Sequence, residues 1–427
     1  MHRKALIRTA VPLVALALTA AACGSSSGSK SSDANKKTST TTMGEAQTTA
    51  AVASQTGAAT LRAKLTSLLD EHVYLASKAT GAALRGDMTG FNEWAGALNG
   101  PADSNTADLT AAVTSAYGKD VGTAFDGLWR SEDHIPQFVA YTQATAKGDA
   151  AGQQAAVDKL TAYAKTFGDT LHSVNSNLPA DAVTQDITMH ATTLIAVINA
   201  QKAGDGAAVY KALEEAYTHM NGTAKVLAVA TAQKFPEKFD GDAASPAAEL
   251  RAGLTSLLEA HVWIASDATG AALAGRQADY EAAAAALNGP TDSNTSELVD
   301  AVGSIYGPDV KTAFDGLWRS ENHIPQFVAY TQATAKGDAA GQQAAVDKLT
   351  AYAKTFGDTL NQVNSNLPAD AVAQDITMHA TTLIAVINAQ KAGTPDVPKL
   401  TRAAVAHMEG TADVLAAATV KKYSDKF

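Results

Sequence analysis

Eight of the ten histidines occupy four positions, each used twice: His72 and His261, His134 and His323, His190 and His379, His219 and His407. Neutral imidazole is a ligand for zinc, copper, nickel and haem iron. Four imidazoles in each half of the chain, each on a different helix, therefore form a candidate ligand set. The plainer reading makes each one a core or boundary histidine bonded to a hydroxyl or a carbonyl. Methionines flank two of the positions, Met189 and Met378 before one histidine, Met220 and Met408 after another. Soft thioethers beside imidazoles lean toward copper. Neighbouring helical residues diverge by about 100°, so one methionine of each pair is expected to be simple packing. Asp186 and Asp375 stand four residues before His190 and His379, on the same helical face. They are candidates for orienting those rings, against the alternative of a solvated face.

Other metal chemistries lack their signatures. A ferritin-type di-iron centre needs Glu-x-x-His on facing helices, and the residues three before the histidines are Leu69, Ser131, Ile187 and Ala216. No His-Glu-x-x-His occurs, which removes that class of zinc protease. Without Cys-x-x-Cys-His, any haem is held non-covalently. No nucleophile–base pair or pair of acids stands out, so an enzyme is not the expectation, although an open position on a metal would leave room for catalysis.

These residues are carried by a unit that occurs twice. Leu61-Arg62-Ala63 returns as Leu250-Arg251-Ala252, an offset of 189 that holds to Gly204, where the second copy loses one residue. A period this long marks duplicated domains rather than a short-repeat solenoid. The apolar spacing predicts helices throughout: Leu61 to about Gly86, a short helix to Leu98, another to Tyr117, one from about Asp120 to Lys147, then Ala150–Val174, a helix to Lys202, and 205–234. The fold expected is all-α: two tandem up-and-down bundles with four to five long helices each. In such bundles the four histidines, all near mid-helix, would share one layer. Pro136 tests this picture. It lies two residues after His134 and lacks an N–H, so the helix should kink or open there. Arg130, four residues before His134, would repel a cation if it pointed inward.

The N-terminus reads as targeting sequence. Arg3, Lys4 and Arg8 precede the apolar stretch 10–19, and Ala20-Ala21-Ala22-Cys23-Gly24 resembles a lipoprotein lipobox around the only cysteine. The expected organisation is a lipoprotein signal peptide over 1–22, a flexible Ser/Thr/Gly-rich tether over 23–58, bundle repeats over 59–240 and 247–427, and a linker over 241–246. Cys23 is then the lipidated residue, anchoring the chain to the outer face of a bacterial cytoplasmic membrane. Simple secretion with a free thiol is the alternative. A net charge of −10 with no basic run argues against nucleic acid as a partner.

Glu71-His72, Trp129 with His134-Ile135, Met189-His190, His219-Met220 and Phe235-Pro236-Glu237-Lys238-Phe239 together resemble a group of secreted bacterial helical modules, some relatives of which carry the label copper amine oxidase. This chain lacks the Asn-Tyr-Asp/Glu and His-x-His of such an oxidase, so the resemblance implies no catalytic activity. Three readings stand side by side: a lipid-anchored extracytoplasmic protein holding copper or zinc, one site per bundle; a b-type haem bundle; and a structural or partner-binding surface lipoprotein without a ligand.

Overall fold

A computed structural model describes residues 53–427. The signal segment, Cys23 and most of the tether lie outside the described residues. Among the described residues there are sixteen helices and no strand, so the chain is all-α. The first repeat comprises α1 (Gly57–Leu84), α2 (Met88–Asn99), α3 (Asn105–Tyr117), α4 (Lys119–Trp129), α5 (Ile135–Lys147), α6 (Ala150–Val174), α7 (Ala180–Ala203) and α8 (Gly206–Lys234). The second reproduces it as α9 (Pro246–Leu273), α10 (Gln277–Asn288), α11 (Asn294–Tyr306), α12 (Pro308–Trp318), α13 (Ile324–Lys336), α14 (Ala339–Val363), α15 (Ala369–Ala392) and α16 (Val397–Lys422). No described helix is long and apolar enough to cross a membrane.

Helix α1 is the axis of the first repeat. Thr56 caps it, its hydroxyl accepting from the Ala59 N–H at 3.2 Å, and Gly86 ends it at φ 76°. Of its 28 residues, 21 are buried, so it is surrounded on all sides rather than lying on the surface with one apolar stripe. Helices α2, α3, α5, α7 and α8 of its own repeat lie against it, as does α9 of the other repeat. Helix α6 reaches α7 closely because Gly168 faces Ala180 and Thr184; a Cβ there would collide with both. Gly357 does the same against Ala369.

One expectation is corrected. The helix predicted from about Asp120 to Lys147 is two helices, α4 ending at Trp129 and α5 beginning at Ile135. Pro136 accounts for this. As the second residue of α5, its missing N–H is harmless. A continuous helix would instead have driven its ring into the Glu132 carbonyl. That carbonyl, released from helical bonding, accepts from the Gln137 side chain at 2.6 Å, and Glu321 and Gln326 repeat the arrangement. His134 is thereby the N-cap of α5 and not a mid-helix residue.

The repeats meet with equivalent residues face to face, the signature of a pseudo-twofold contact. Tyr74 stacks on Trp263, its own counterpart, with ring centroids 5.5 Å apart and planes 11° apart. Ion pairs tie the rim: Arg402 to Glu71 at 2.7 Å and to Asp108 at 2.6 Å, Lys64 to Glu409 at 3.1 Å, and Arg62 to Glu249 at 3.3 Å. In the middle of the seam lie two more counterparts, Asp70 and Glu259, both fully enclosed. Among the described residues, no hydrogen bond of good geometry reaches any of their four oxygens. Burial pushes both carboxyls well above the ordinary range; Ser256 and Ser67, each across the seam, offset this only weakly, and Asp70, Glu71 and Glu409 add to it at Glu259.

Carboxyls raised in the folded state favour folding fully below their unfolded pKa, about 4, and lose that contribution as pH rises toward their folded values. Denaturant melts of an Asp70→Asn, Glu259→Gln double variant should therefore show a gain of about 1–3 kcal/mol over the parent at pH 8. The difference should shrink at pH 5. Equal differences at both pH values would show that the two acids are ionised in the seam.

Candidate metal centre

Three of the four histidines of each repeat converge. His72 comes from the middle of α1, His134 from the cap of α5 and His190 from the middle of α7, and each is 2 % exposed or less. One nitrogen of each ring lies within 4.8 Å of the other two. His261, His323 and His379 form the same group in the second repeat. Ring centroids are 5.5–6.4 Å apart in the first group and 5.7–6.5 Å in the second.

The break between α4 and α5 sets the tautomer of His134. Its Nδ1 lies 2.8 Å from the Trp129 carbonyl oxygen, which only accepts, so Nδ1 carries the proton. In a neutral ring the lone pair is then on Nε2. A metal-bound histidine is commonly held this way, one nitrogen on a carbonyl and the other on the ion. His323 and Trp318 repeat the contact at 2.8 Å. The ring is further fixed by Tyr163, parallel to it at 4.6 Å with planes 2° apart, and by the edge of Trp129 at 4.7 Å. Tyr352 and Trp318 do the same for His323.

All three rings are neutral. Burial first, and then the neighbouring imidazoles, lower His72 to about 3 and push His190 well below its usual value. Burial lowers His134 to about 4 against the opposing hydrogen bond to Trp129. A cluster of this kind surrounded by aromatic rings is costly without a ligand. Both nitrogens of His190, Nδ1 of His72, Nε1 of Trp129 and the Tyr163 hydroxyl have no hydrogen-bond partner among the described residues. An ion at about 2.1 Å from three nitrogens sets them about 3.5 Å apart, so the triangle needs to close by little more than 1 Å. The residues fit such an ion.

The remaining candidates are placed as follows. His219 is not in the triad: its Nε2 donates to the Asp186 backbone carbonyl at 3.0 Å, and His407 does the same to Asp375 at 3.1 Å. The Asp186 carboxylate accepts from Thr223 at 2.8 Å and stands beside His219, without a bond to His190. Asp375 repeats this with Thr411 and His407. Met189 and Met378 are about half exposed, 51 % and 49 %, and turn outward, whereas Met220 and Met408 are buried. Met408 lines a cavity of about 170 Å³ together with His261, His323, His379, Tyr352 and Trp318. The matching cavity in the first repeat, about 120 Å³, is lined by Trp129, Phe167 and Met220 and stops short of the histidines. Arg130 does not point at the site; it bonds Asp126 at 2.8 Å and the Asn99 carbonyl at 2.6 Å.

Two contributors carry no distinctive sequence signal. Tyr163 reads as one more apolar residue of α6. Asn105, next to the Ser104 cap, is buried and reaches into α1, donating to the Leu68 carbonyl at 2.7 Å and to Glu71 at 2.9 Å. It steadies the turn of α1 that carries His72.

No family model, no curated protein and no solved structure matches this chain. The site therefore rests on its own geometry.

Histidines held neutral in the fold and free to protonate when unfolded stabilise the native state above about pH 6.5 and lose that contribution on acidification toward their folded values. For a ring lowered to about 4, as at His134 and His323, this is on the order of 3 kcal/mol per histidine. Several such groups together rival the whole stability of a typical domain. Metal-free protein should thus unfold near pH 5, above the values of about 4 and about 3 at which His134 and His72 would protonate in place. Circular dichroism against pH checks this, and native signal retained at pH 4 would mean the rings are already protonated or solvated.

Proposed function

We propose that this protein is a lipid-anchored, extracytoplasmic metal-binding protein of two tandem helical bundles, each holding one ion on three imidazoles, with copper in the reduced state as the preferred occupant. The single observation that carries the reading is the twice-built triad of buried neutral histidines, its tautomer fixed by the Trp129 and Trp318 carbonyls.

The choice of ion follows from charge. Three neutral nitrogens bring no negative charge, and among the described residues no carboxylate belongs to either group. The cost of enclosing an ion rises with the square of its charge, so a monovalent ion is favoured over a divalent one. Monovalent copper accepts three nitrogens and prefers soft neighbours, and the Met408 thioether shares the cavity of the second triad. Zinc would need an added hydroxide or other anion to offset its charge, because Asp375, the carboxylate that lines the same cavity, is held by Thr411 and stands beside His407. Haem is less well supported. The space beside the rings is occupied by Trp129, Tyr163 and Phe138, and the adjoining cavities are far smaller than a porphyrin.

The location is proposed from the lipobox-like Cys23 and the basic–apolar segment before it. The short motifs shared with secreted helical modules agree with it. A carrier or buffer of metal outside the membrane is the role that fits, and a structural protein without a ligand would leave the orphaned polar atoms unexplained.

Reconstitution under reducing, oxygen-free conditions should load two copper ions per chain, measured by elemental analysis after exchange against a chelator. His72→Ala should lower this to one, and His72→Ala with His261→Ala to none. His219→Ala should leave both ions bound. Loading with zinc at equal or greater strength would overturn the copper assignment, and no metal at all would overturn the function.

A further inference from the structure

Where the two repeats join, the C-terminal ends of α1 and α9, the turns that follow them and the α7–α8 corner enclose a cleft of about 500 Å³. That is the size of a small-molecule site and much larger than a bare ion requires. Pseudo-equivalent residues line both walls, Ser77 with Ser266, Gly81 with Gly270 and Gln201 with Gln390. The pseudo-twofold axis therefore runs through the cleft.

The symmetry stops at the side chains that carry charge and rings. Arg85 has Ala274 as its counterpart, Asp87 has Arg276, Trp94 has Ala283, and Tyr210 has Pro398. Substitution has thus placed two guanidiniums, an indole and a phenol in one cleft and given it a single polarity. Its charged lining is Lys78, Arg85, Lys202 and Arg276 against Asp87, Asp267 and Asp279, a positive balance on a chain of net charge −10.

Most of those charges are already engaged. Lys78 pairs with Asp267 and lies over Trp94, 4.9 Å from the ring centroid. Arg276 pairs with Asp279 at 2.9 Å, Lys202 donates to the Ala146 carbonyl at 3.1 Å, and Asp87 caps α2 by accepting from the Gly90 N–H at 2.9 Å. Arg85 alone has no ion pair and no side-chain hydrogen bond among the described residues; it is exposed and lines the cleft. The cleft walls desolvate it and Arg276 repels it, which lowers its pKa, while Asp279, Asp267 and Asp87 pull the other way without pairing with it. A guanidinium that is always protonated cannot relieve this by losing its proton.

We propose that the cleft binds a metabolite-sized organic oxyanion, a carboxylate or a phosphate ester, with Arg85 as its anchor and Arg276 beside it. The planar fork of Arg85 matches two oxygens of either group and makes charge-assisted hydrogen bonds to both. Trp94 and Tyr210, which line the same cleft, supply flat surface for the carbon skeleton. The site belongs to neither repeat alone, so joining the two units creates it.

Isothermal titration of the purified full chain tests this with three probes: citrate, adenosine 5′-monophosphate and inorganic phosphate. At least one organic probe should bind once per chain with a Kd below about 1 mM, and inorganic phosphate should bind at least about tenfold more weakly, a gap of 1.4 kcal/mol. Arg85→Ala should weaken the organic probe by about tenfold or more and Arg85→Lys by less, since lysine keeps the charge and loses the fork. Arg276→Ala provides a second variant, with circular dichroism as the folding check on each. Four outcomes overturn the proposal: no probe binds, inorganic phosphate binds as tightly as the organic probes (an adventitious ion only), the stoichiometry differs from one, or folded arginine variants bind as the parent does.

Discussion

The architecture of each repeat depends on one steric conflict, between the pyrrolidine ring of Pro136 or Pro325 and the carbonyl four residues earlier. A helix that ran through it would lose a hydrogen bond and bend. Here the helix stops instead, and the turn that replaces it performs three tasks. It places His134 at the N-cap of α5, where its side chain enters the core. It leaves the Trp129 carbonyl free of helical bonding, so that the imidazole can use it. It also gives the displaced Glu132 carbonyl a partner in Gln137. His72 and His190 need no such device, because both sit on inward faces of uninterrupted helices. The triad is therefore two helical positions completed by one broken helix.

The interior so formed is unusual in its polarity rather than in its packing. Each repeat encloses three imidazoles, an indole and a phenol with few hydrogen bonds among them. An apolar core of the same volume would be more stable, because buried polar atoms left unpaired cost on the order of 1–3 kcal/mol each. An ion bound by three lone pairs removes that cost for the histidines and draws the rings together. Under the proposed function, an empty state that is penalised and a bound state that is satisfied would account for so complete an enclosure. An exposed triad would exchange its ligand with water and would not keep its rings neutral in acid.

The sequence showed the duplication, the all-helical character and the histidine positions, because all three depend on spacing along one chain. It also pointed to Pro136 as the place where the helix would fail. It did not show that the failure would be complete, since a kinked continuous helix and a broken one share the same apolar pattern. That difference decided the membership of the site. Mid-helix spacing puts His134 and His219 alike in one layer, yet His134 is a member of the triad, whereas His219 is bonded to the Asp186 backbone and stands apart. The direction of each methionine was equally out of reach. Met189 and Met220 are each adjacent to a histidine, yet one faces solvent and the other the core, as the 100° step per residue requires. Tyr163 stayed hidden because stacking partners from different helices leave no pattern in the sequence.

Helix α1 shows why the metal centre and the repeat seam are parts of one object. Asp70 and Tyr74 are four residues apart and share the face that meets α9, while His72, between them, points about 200° away into its own repeat. The copies differ on the seam face, where Asp70 is matched by Glu259 and Tyr74 by Trp263, and agree at His72 and His261. The seam could thus be rebuilt, with acids, stacked rings and an asymmetric cleft, without disturbing the inward face of the same helix. Closing a triad around an ion would pull α1 toward α5 and α7, and the stacked Tyr74 and Trp263 hold that helix against its counterpart. Each histidine triad is consequently braced by the other repeat, and a single repeat taken alone would expose the face of α1 that the seam now buries.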